Sequence, residues 1–150
     1  MTTRTVLTAM VVLCGVAASP AIARPTTQAS QLDMVAAVNE VRSAHGLARL
    51  RHAPVLGRSA RAYAGWMLRA QYFGHQARIR TSRAFSIVGE NLEWHRGRQL
   101  RIRQAVRAWM HSGPHRTVML HRSFRWIGAG VRRGRFKGTP ATMWVLHLGG

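Results

Sequence analysis

The chain has 150 residues, 47% of them hydrophobic, and a formal net charge of +19 from 23 lysines and arginines against 4 acidic residues. This length is enough for one hydrophobic core and leaves little room for a second domain. The charge draws the protein toward polyanions such as nucleic acid, anionic lipid or acidic wall polymers. The arginines are scattered and form no single tract, so an arginine-rich codon bias and a need for solubility explain the charge equally well.

The first residues have the pattern of a secretory signal peptide. Arg4 gives a positive start, residues 6–16 are an almost unbroken apolar run, and residues 19–23 offer the small side chains of a cleavage site. The run is too short for a membrane-spanning helix. We expect cleavage after Ala23, with Ala21 as the alternative, and a location outside the cell, in the periplasm or in the cell envelope.

The single cysteine, Cys14, lies within that apolar run. Lipidation of Cys14 is the weaker interpretation, because residues 11–13 lack the small side chains that such a site usually has. The processed chain therefore has no cysteine, and its core rather than disulfide bonds must hold it together. We expect a signal peptide at residues 1–23, a polar linker at 24–30 and one domain at 31–150.

Two helices are predicted in the first half of this domain. The first begins with Ser30 as N-cap, three residues before Asp33, and ends near Gly46. The second begins at Pro54, a favourable first-turn residue, and continues to about Tyr72. Apolar residues recur on one face of each helix at helical spacing, among them Leu32, Val35, Val38, Val41, Leu56, Ala60, Tyr63, Ala64 and Met67.

The second half alternates between strand and helix patterns. The predicted elements are a strand at 87–94, a helix at 100–110, a short helical turn at 115–120, and strands at 126–131 and 141–148 around a basic loop at 132–140. The last two strands are close in sequence and should pair antiparallel. The fold class is therefore α/β, a three-layer α/β/α sandwich with a small antiparallel sheet between helices.

Three short motifs lie where these elements begin or end: Phe73-Gly74-His75, Gly89-Glu90-Asn91 and Ser112-Gly113-Pro114-His115. Their order and spacing, with Val38–Arg42 before them and Trp126–Val131 after them, resemble the CAP superfamily in its compact bacterial form. This superfamily comprises the cysteine-rich secretory, antigen 5 and pathogenesis-related 1 proteins, and its domain is also called SCP. The resemblance covers residues 31–150 and implies the same α/β/α sandwich.

The resemblance also implies a central cavity lined by two histidines and two acidic residues. By that pattern His75 and His115 are the histidines and Glu90 is the first acid, while Ser112 occupies the position of the second acid. Short bacterial members commonly show this departure. The absence of a second acid makes a mechanism with paired carboxylates less favourable. Two imidazoles and one carboxylate are suitable ligands for zinc or a similar divalent metal, and an open position would polarise a bound water. His75, Glu90 and His115 are therefore the candidate metal ligands.

The residues near this set have supporting or structural interpretations. Asn91, His111 and Ser112 are expected in a second layer around the ligands. His75, Glu90 and His115 could also serve only the fold, as a helix end, a buried acceptor and a helix cap; no catalytic role is assigned to them. The exposure of His147 is undecided, because residues 143–148 alternate between two apolar sets.

Aromatic residues suggest a rival site. Tryptophans on helices and strands usually lie in the core, yet Trp94-His95-Arg96 and Arg125-Trp126 place rings beside guanidinium groups. Sugars and single-stranded nucleic acids use that pairing. No nucleic-acid-binding motif is present, so specific nucleic-acid binding is not expected.

The sequence favours a secreted, monomeric binding module over an enzyme. Its cleft is expected to hold a divalent ion or a small polar or lipid-like ligand. Metal-dependent hydrolysis at the same cleft is the enzymatic alternative. A serine hydrolase is not expected, because the serines lie in no nucleophile-elbow motif. A cationic protein that adheres to anionic envelope polymers or membrane surfaces is the third alternative.

Overall fold

A computed structural model describes residues 26–81 and 83–150; the predicted signal peptide and its cleavage site lie outside the described residues. The helices are α1 (Thr27–Ala44), α2 (Pro54–Ala70), α3 (Ile102–His111) and α4 (Gly113–Leu120), and the strands are β1 (Arg51–His52), β2 (Val88–Arg96), β3 (Trp126–Phe136) and β4 (Thr139–Gly149). The sheet has the order β1-β3-β4-β2. None of the described helices is long and apolar enough to cross a membrane.

Helices cover both faces of this sheet, which confirms the predicted α/β/α sandwich. On one face, Ala60, Ala64 and Met67 of α2 pack with Met143 and Val145 of β4. On the other face lie α1, α3 and α4, whose buried residues Met34, Val38, Trp109 and Met119 pack with Trp144 and Leu146 of β4. The sheet is mixed rather than purely antiparallel, because the two-residue strand β1 pairs parallel with β3.

Two glycines of β3 allow α2 to lie directly against the sheet. A Cβ atom on Gly128 would lie 2.0 Å from the backbone nitrogen of Gly57, and one on Gly130 would lie 2.1 Å from that of Arg61. Such contacts are far inside van der Waals distance, so only glycine permits this approach. The close packing brings Ser59 of α2 next to the end of β4.

Helix α1 begins earlier than the sequence predicts. Thr26 is the N-cap, and its hydroxyl accepts a hydrogen bond from the backbone nitrogen of Ala29 at 3.1 Å. Ser30, the predicted cap, is buried within the helix and donates to the carbonyl of Thr26. Residues 27–30 therefore belong to α1 rather than to a linker. Serine and threonine are both good caps, and the sequence does not rank them.

The predicted basic loop at 132–140 is mostly strand. Strands β3 and β4 continue to Phe136 and Thr139 and leave a two-residue turn at Lys137-Gly138, with φ angles of 47° and 78°. Positive φ at both central positions is typical of the type I′ turn, which matches the twist of paired strands. The arginines of this segment therefore lie on a hairpin.

The buried Arg42 ties α1 to the end of α4. Its Nη1 donates to the carbonyls of Met119 and His121 at 2.8 and 3.1 Å, and its Nε donates to that of Ala48 at 3.0 Å. Burial, together with the charge of Arg125, lowers the pKa of Arg42. Carbonyls at a helix C-terminus attract a cation, so this contact fixes the position of α4.

Candidate functional site

The candidate site lies at strand β2, on the edge of the sheet where the two helical layers meet. Neighbouring residues of a strand point to opposite faces of the sheet. The side chains of Glu90 and Asn91 therefore lie on opposite faces of β2. Glu90 contacts the segment after α2, whereas Nδ2 of Asn91 donates to the carbonyl of His115 at 3.0 Å. The indole of Trp109 also donates to the carbonyl of Leu92 at 2.8 Å, which attaches α3 to the same strand.

These contacts bring the three predicted ligands together. Nδ1 of His75 lies 2.9 Å from Oε1 of Glu90. The ring centroids of His75 and His115 are 6.0 Å apart, with 37° between the ring planes. Residues separated by 40 positions in the chain thus share one cleft, although no group of three or more His, Cys, Asp or Glu in residues 26–81 and 83–150 is arranged to hold a metal ion.

Glu90 is the centre of the hydrogen-bond network. Oε1 accepts from Nδ1 of His75 at 2.9 Å and from the backbone nitrogen of Gln76 at 3.2 Å. Oε2 accepts from Nε2 of Gln76 at 2.8 Å and from Nε2 of His147 at 3.0 Å. Burial raises the pKa of Glu90, but the bonds from His147, Gln76 and His75 outweigh it and leave the pKa below its usual value. The side chain is therefore a carboxylate whose acceptor sites are all used.

Two members of this network, Gln76 and His147, are absent from the sequence prediction of the site. His147 is fully buried and is the register partner of Glu90 across β2 and β4. Its Nδ1 lies 2.9 Å from the hydroxyl of Ser59, which itself donates to the carbonyl of Arg80. Both ring nitrogens of His147 thus lie within hydrogen-bond distance of an oxygen, in Ser59 and Glu90, and Nε2 also lies 3.2 Å from Nε2 of Gln76.

The bonding of His75 and His115 leaves one nitrogen of each ring available. Because the carboxylate of Glu90 only accepts, Nδ1 of His75 carries the hydrogen of this contact, and Nε2 is the nitrogen whose lone pair a neutral ring would offer. Nδ1 of His115 lies 2.8 Å from the hydroxyl of Ser112. Burial, and then the nearby His75, lower the pKa of His115. A neutral imidazole with one nitrogen held by an oxygen is the form in which histidine binds metals.

Ser112 and His111 occupy different positions relative to this pair. Ser112 is the N-cap residue of α4, but its side chain makes no capping bond to a backbone N–H and contacts the ring of His115 instead. His111 is exposed at the end of α3. Among the described residues, no hydrogen bond joins His111 to the cleft.

The two tryptophans of the rival aromatic site, Trp94 and Trp126, are half-buried, and neither ring contact found for them involves the arginine beside it in sequence. Trp94 packs edge-on against Phe136, with ring centroids 4.9 Å apart. The guanidinium of Arg51, rather than that of Arg125, covers Trp126 at 4.5 Å from the ring centroid. The exposed tryptophan is Trp66, at 45%.

An open groove of about 830 Å³ leads from Trp66 to the cleft. Its lining includes Tyr63, Trp66 and Tyr72, then His75 and Gln76, and the arginines Arg69, Arg78 and Arg80. Burial, followed by the charge of Glu90 and the neighbouring Tyr72, raises the pKa of Tyr63 to about 12. The groove therefore reaches His75 and is lined by both aromatic rings and arginines.

Comparisons with known proteins agree with this architecture. The sequence model of the cysteine-rich secretory protein family, CAP, matches residues 35–148. No curated protein sequence matches the chain.

Several solved structures share the fold. An outer surface protein from Borrelia burgdorferi superimposes with a TM-score of 0.66 at 20% identity, covering 83% of this chain and 95% of its own. Venom allergen-like protein 4 from Schistosoma mansoni gives 0.63 at 16% identity, covering 81% and 88%. NaASP2, solved with Zn²⁺, gives 0.61 at 14% identity, covering 80% and 78%. At these identities the likeness concerns the fold.

Proposed function

Because this chain belongs to the CAP family of cysteine-rich secretory proteins, we propose that it is a binding module whose cleft captures a divalent cation such as zinc. The proposal rests chiefly on the pairing of His75 and His115. Their rings lie 6.0 Å apart, and an oxygen of Glu90 or Ser112 contacts Nδ1 of each. Zinc–nitrogen bonds are about 2 Å long, so two Nε2 atoms on rings at this separation can reach one ion.

In this proposal Glu90 orients a ligand and is not a ligand itself, which refines the set expected from the sequence. Its carboxylate already accepts four hydrogen bonds, and a metal would have to displace one of them. A carboxylate that holds the far nitrogen of a metal-binding histidine fixes the ring and increases its basicity. Ser112 would hold His115 in the same way.

Binding is favoured over hydrolysis by the state of Glu90. A general base works best when its pKa lies near the working pH, whereas hydrogen bonds hold the pKa of Glu90 below its usual value. A bound zinc ion would supply Lewis acidity at the cleft. The residues present support capture of an ion and of a polar group beside it, and the predicted signal peptide supports action outside the cell or in its envelope.

Calorimetric titration of the purified protein with zinc tests this function. We expect low-micromolar binding that is lost in the double variant His75→Ala/His115→Ala. A second double variant, His45→Ala/His52→Ala, removes two exposed histidines outside the cleft and should bind like the unmodified protein. Equal binding by all three proteins, or no binding by any, would show that the cleft histidines are structural.

A further inference from the structure

We propose that the α2 face carries a second binding site, an arginine-lined track with Trp66 as its stacking platform, and that its ligand is an acidic polysaccharide. The groove beside the cleft is continuous with two neighbouring depressions. It shares Arg78 and Arg80 with a depression that extends to Arg83, and it shares Arg69 with another that extends to Arg132. The three depressions form one path across α2 and the segment that follows it.

The charge of this track has no internal partner. The ion pairs found within the described residues all join a histidine to Glu90 or Glu93, so the arginines of the track face solvent without a carboxylate. The chain has only two other acidic residues, Asp33 and Glu40, and both lie on α1, which packs on the opposite face of the sheet. A polyanion on the α2 face therefore meets no exposed acidic residue.

The centre of the track is a preformed aromatic platform. Trp66 stacks on Tyr63, with ring centroids 5.4 Å apart and 11° between the planes, and makes a T-shaped contact with Tyr72, with centroids 5.7 Å apart and 65° between the planes. The hydroxyl of Tyr63 donates to the carbonyl of Gly74 at 2.5 Å, and a Cβ atom on Gly74 would lie 2.3 Å from the hydroxyl of Tyr72. Local packing thus holds the aromatic cluster, while Trp66 remains 45% exposed.

The pattern favours a charged sugar polymer over a single-stranded nucleic acid. Proteins that bind single strands stack successive bases on several separate aromatic side chains, whereas Tyr63 and Tyr72 here pack against Trp66 itself, so the three rings form one cluster in a groove also lined by arginines. One sugar ring would stack on Trp66. The carboxylates of its neighbours would meet the arginines, whose planar donors fit a carboxylate in a bidentate manner. The site does not depend on the cation proposed for His75 and His115.

The test is a titration with polygalacturonate in the presence of EDTA, which removes any contribution from a metal at the cleft. The variants are Arg78→Gln/Arg80→Gln and Trp66→Ala. The matched control, Arg103→Gln/Arg107→Gln, removes the same charge from exposed positions of α3 on the other face. Hydrogen bonds from a guanidinium to a carboxylate are among the strong ones in proteins, so we expect the arginine track variant to lose at least roughly tenfold in affinity. The slope of log affinity against log salt is negative, and its magnitude should fall by about two in this variant.

The control should keep its affinity within roughly threefold, and Trp66→Ala should weaken binding at every salt concentration, because stacking is not an ionic contact. Equal losses in the control and the track variant would overturn the proposal in favour of diffuse attraction. Tighter binding of oligo(dT) with the same number of charges would assign the track to nucleic acid. A loss in His115→Ala under EDTA, at a residue outside the lining of the track, would show that the track is not separate from the metal cleft. Thermal unfolding of each variant excludes misfolding as the cause.

Discussion

Glu90 can serve the cleft in two ways, either by orienting His75 or by binding the metal directly. If it orients His75 from behind, Glu90→Gln should weaken zinc binding about 10- to 100-fold without abolishing it, since an amide oxygen can still accept from Nδ1. Zinc calorimetry of Glu90→Gln beside His75→Ala measures the difference. A loss as complete as that of His75→Ala would make Glu90 a direct ligand.

Tyr63 gives a prediction about pH. Burial, then Glu90 and Tyr72, raise its pKa to about 12, so the folded state disfavours the tyrosinate. The folded state keeps the full contribution of neutral Tyr63 to its stability below the pKa of tyrosine in the unfolded chain, about 10. That contribution is lost as the pH rises from there toward 12. The absorbance of tyrosinate, followed by alkaline titration, should show a late step that is missing in Tyr63→Phe. A late step that persists in that variant would contradict the assignment.

The difference between predicted and missed site residues follows from the range of their contacts. His75, Glu90 and His115 lie in short motifs at the ends of elements, and such motifs can be found along the chain. His147 enters the site only because β2 pairs with β4 in the register that puts it opposite Glu90. Nothing local specifies that pairing. The alternation of apolar and polar residues does not indicate which way His147 points, because β4 is a central strand that is buried on both faces.

At the scale of elements, the contact between α2 and β3 determines whether the cleft can form. In Gly130→Ala, the new methyl group would lie 2.1 Å from the backbone nitrogen of Arg61, so the helix must shift. Overpacking of a core costs about 1–3 kcal/mol, and we expect the upper end here because the neighbour is backbone. Urea unfolding measures this loss.

The matched control is Gly113→Ala in the first turn of α4. A Cβ atom there meets nothing within 4 Å, and the φ angle is not in the left-handed region. This variant should change stability by less than about 1 kcal/mol, and the sign should favour alanine. Equal losses in the two variants would mean that the spacing between α2 and β3 is not limited by Gly130.

The order and type of the main elements could be predicted from the sequence, whereas their ends could not. The start of α2 at Pro54 matches the prediction, because proline is restricted to the first turn of a helix. The hairpin was predicted too short on both sides, because Arg132, Arg133 and Arg135 are exposed and have no strand alternation of apolar residues. The pairing of β3 with the buried β4 overrides that local pattern.

At the scale of the whole molecule, charge is distributed by face. The exposed acidic residues within the described ranges, Asp33 and Glu40, lie on α1, whereas Glu90 and Glu93 pair with histidines inside. The sequence shows the excess of arginine but not this separation, which depends on which helix covers which face. The α2 side therefore combines the open groove, an exposed tryptophan and unopposed positive charge.

Binding of zinc at the cleft should also stabilise the whole fold, because His75 and His115 belong to segments that approach each other only in the folded state. A ligand at 100 times its Kd adds about 2.7 kcal/mol to the free energy of unfolding, which for a domain of this size is a rise in Tm of roughly 10 °C. Thermal scans with zinc and then with excess EDTA measure the rise and its reversal. The shift should be absent in His75→Ala/His115→Ala and present in His45→Ala/His52→Ala. A shift that survives the first double variant would place the ion elsewhere on the molecule, since it would not need the two imidazoles that β2 and α4 bring together.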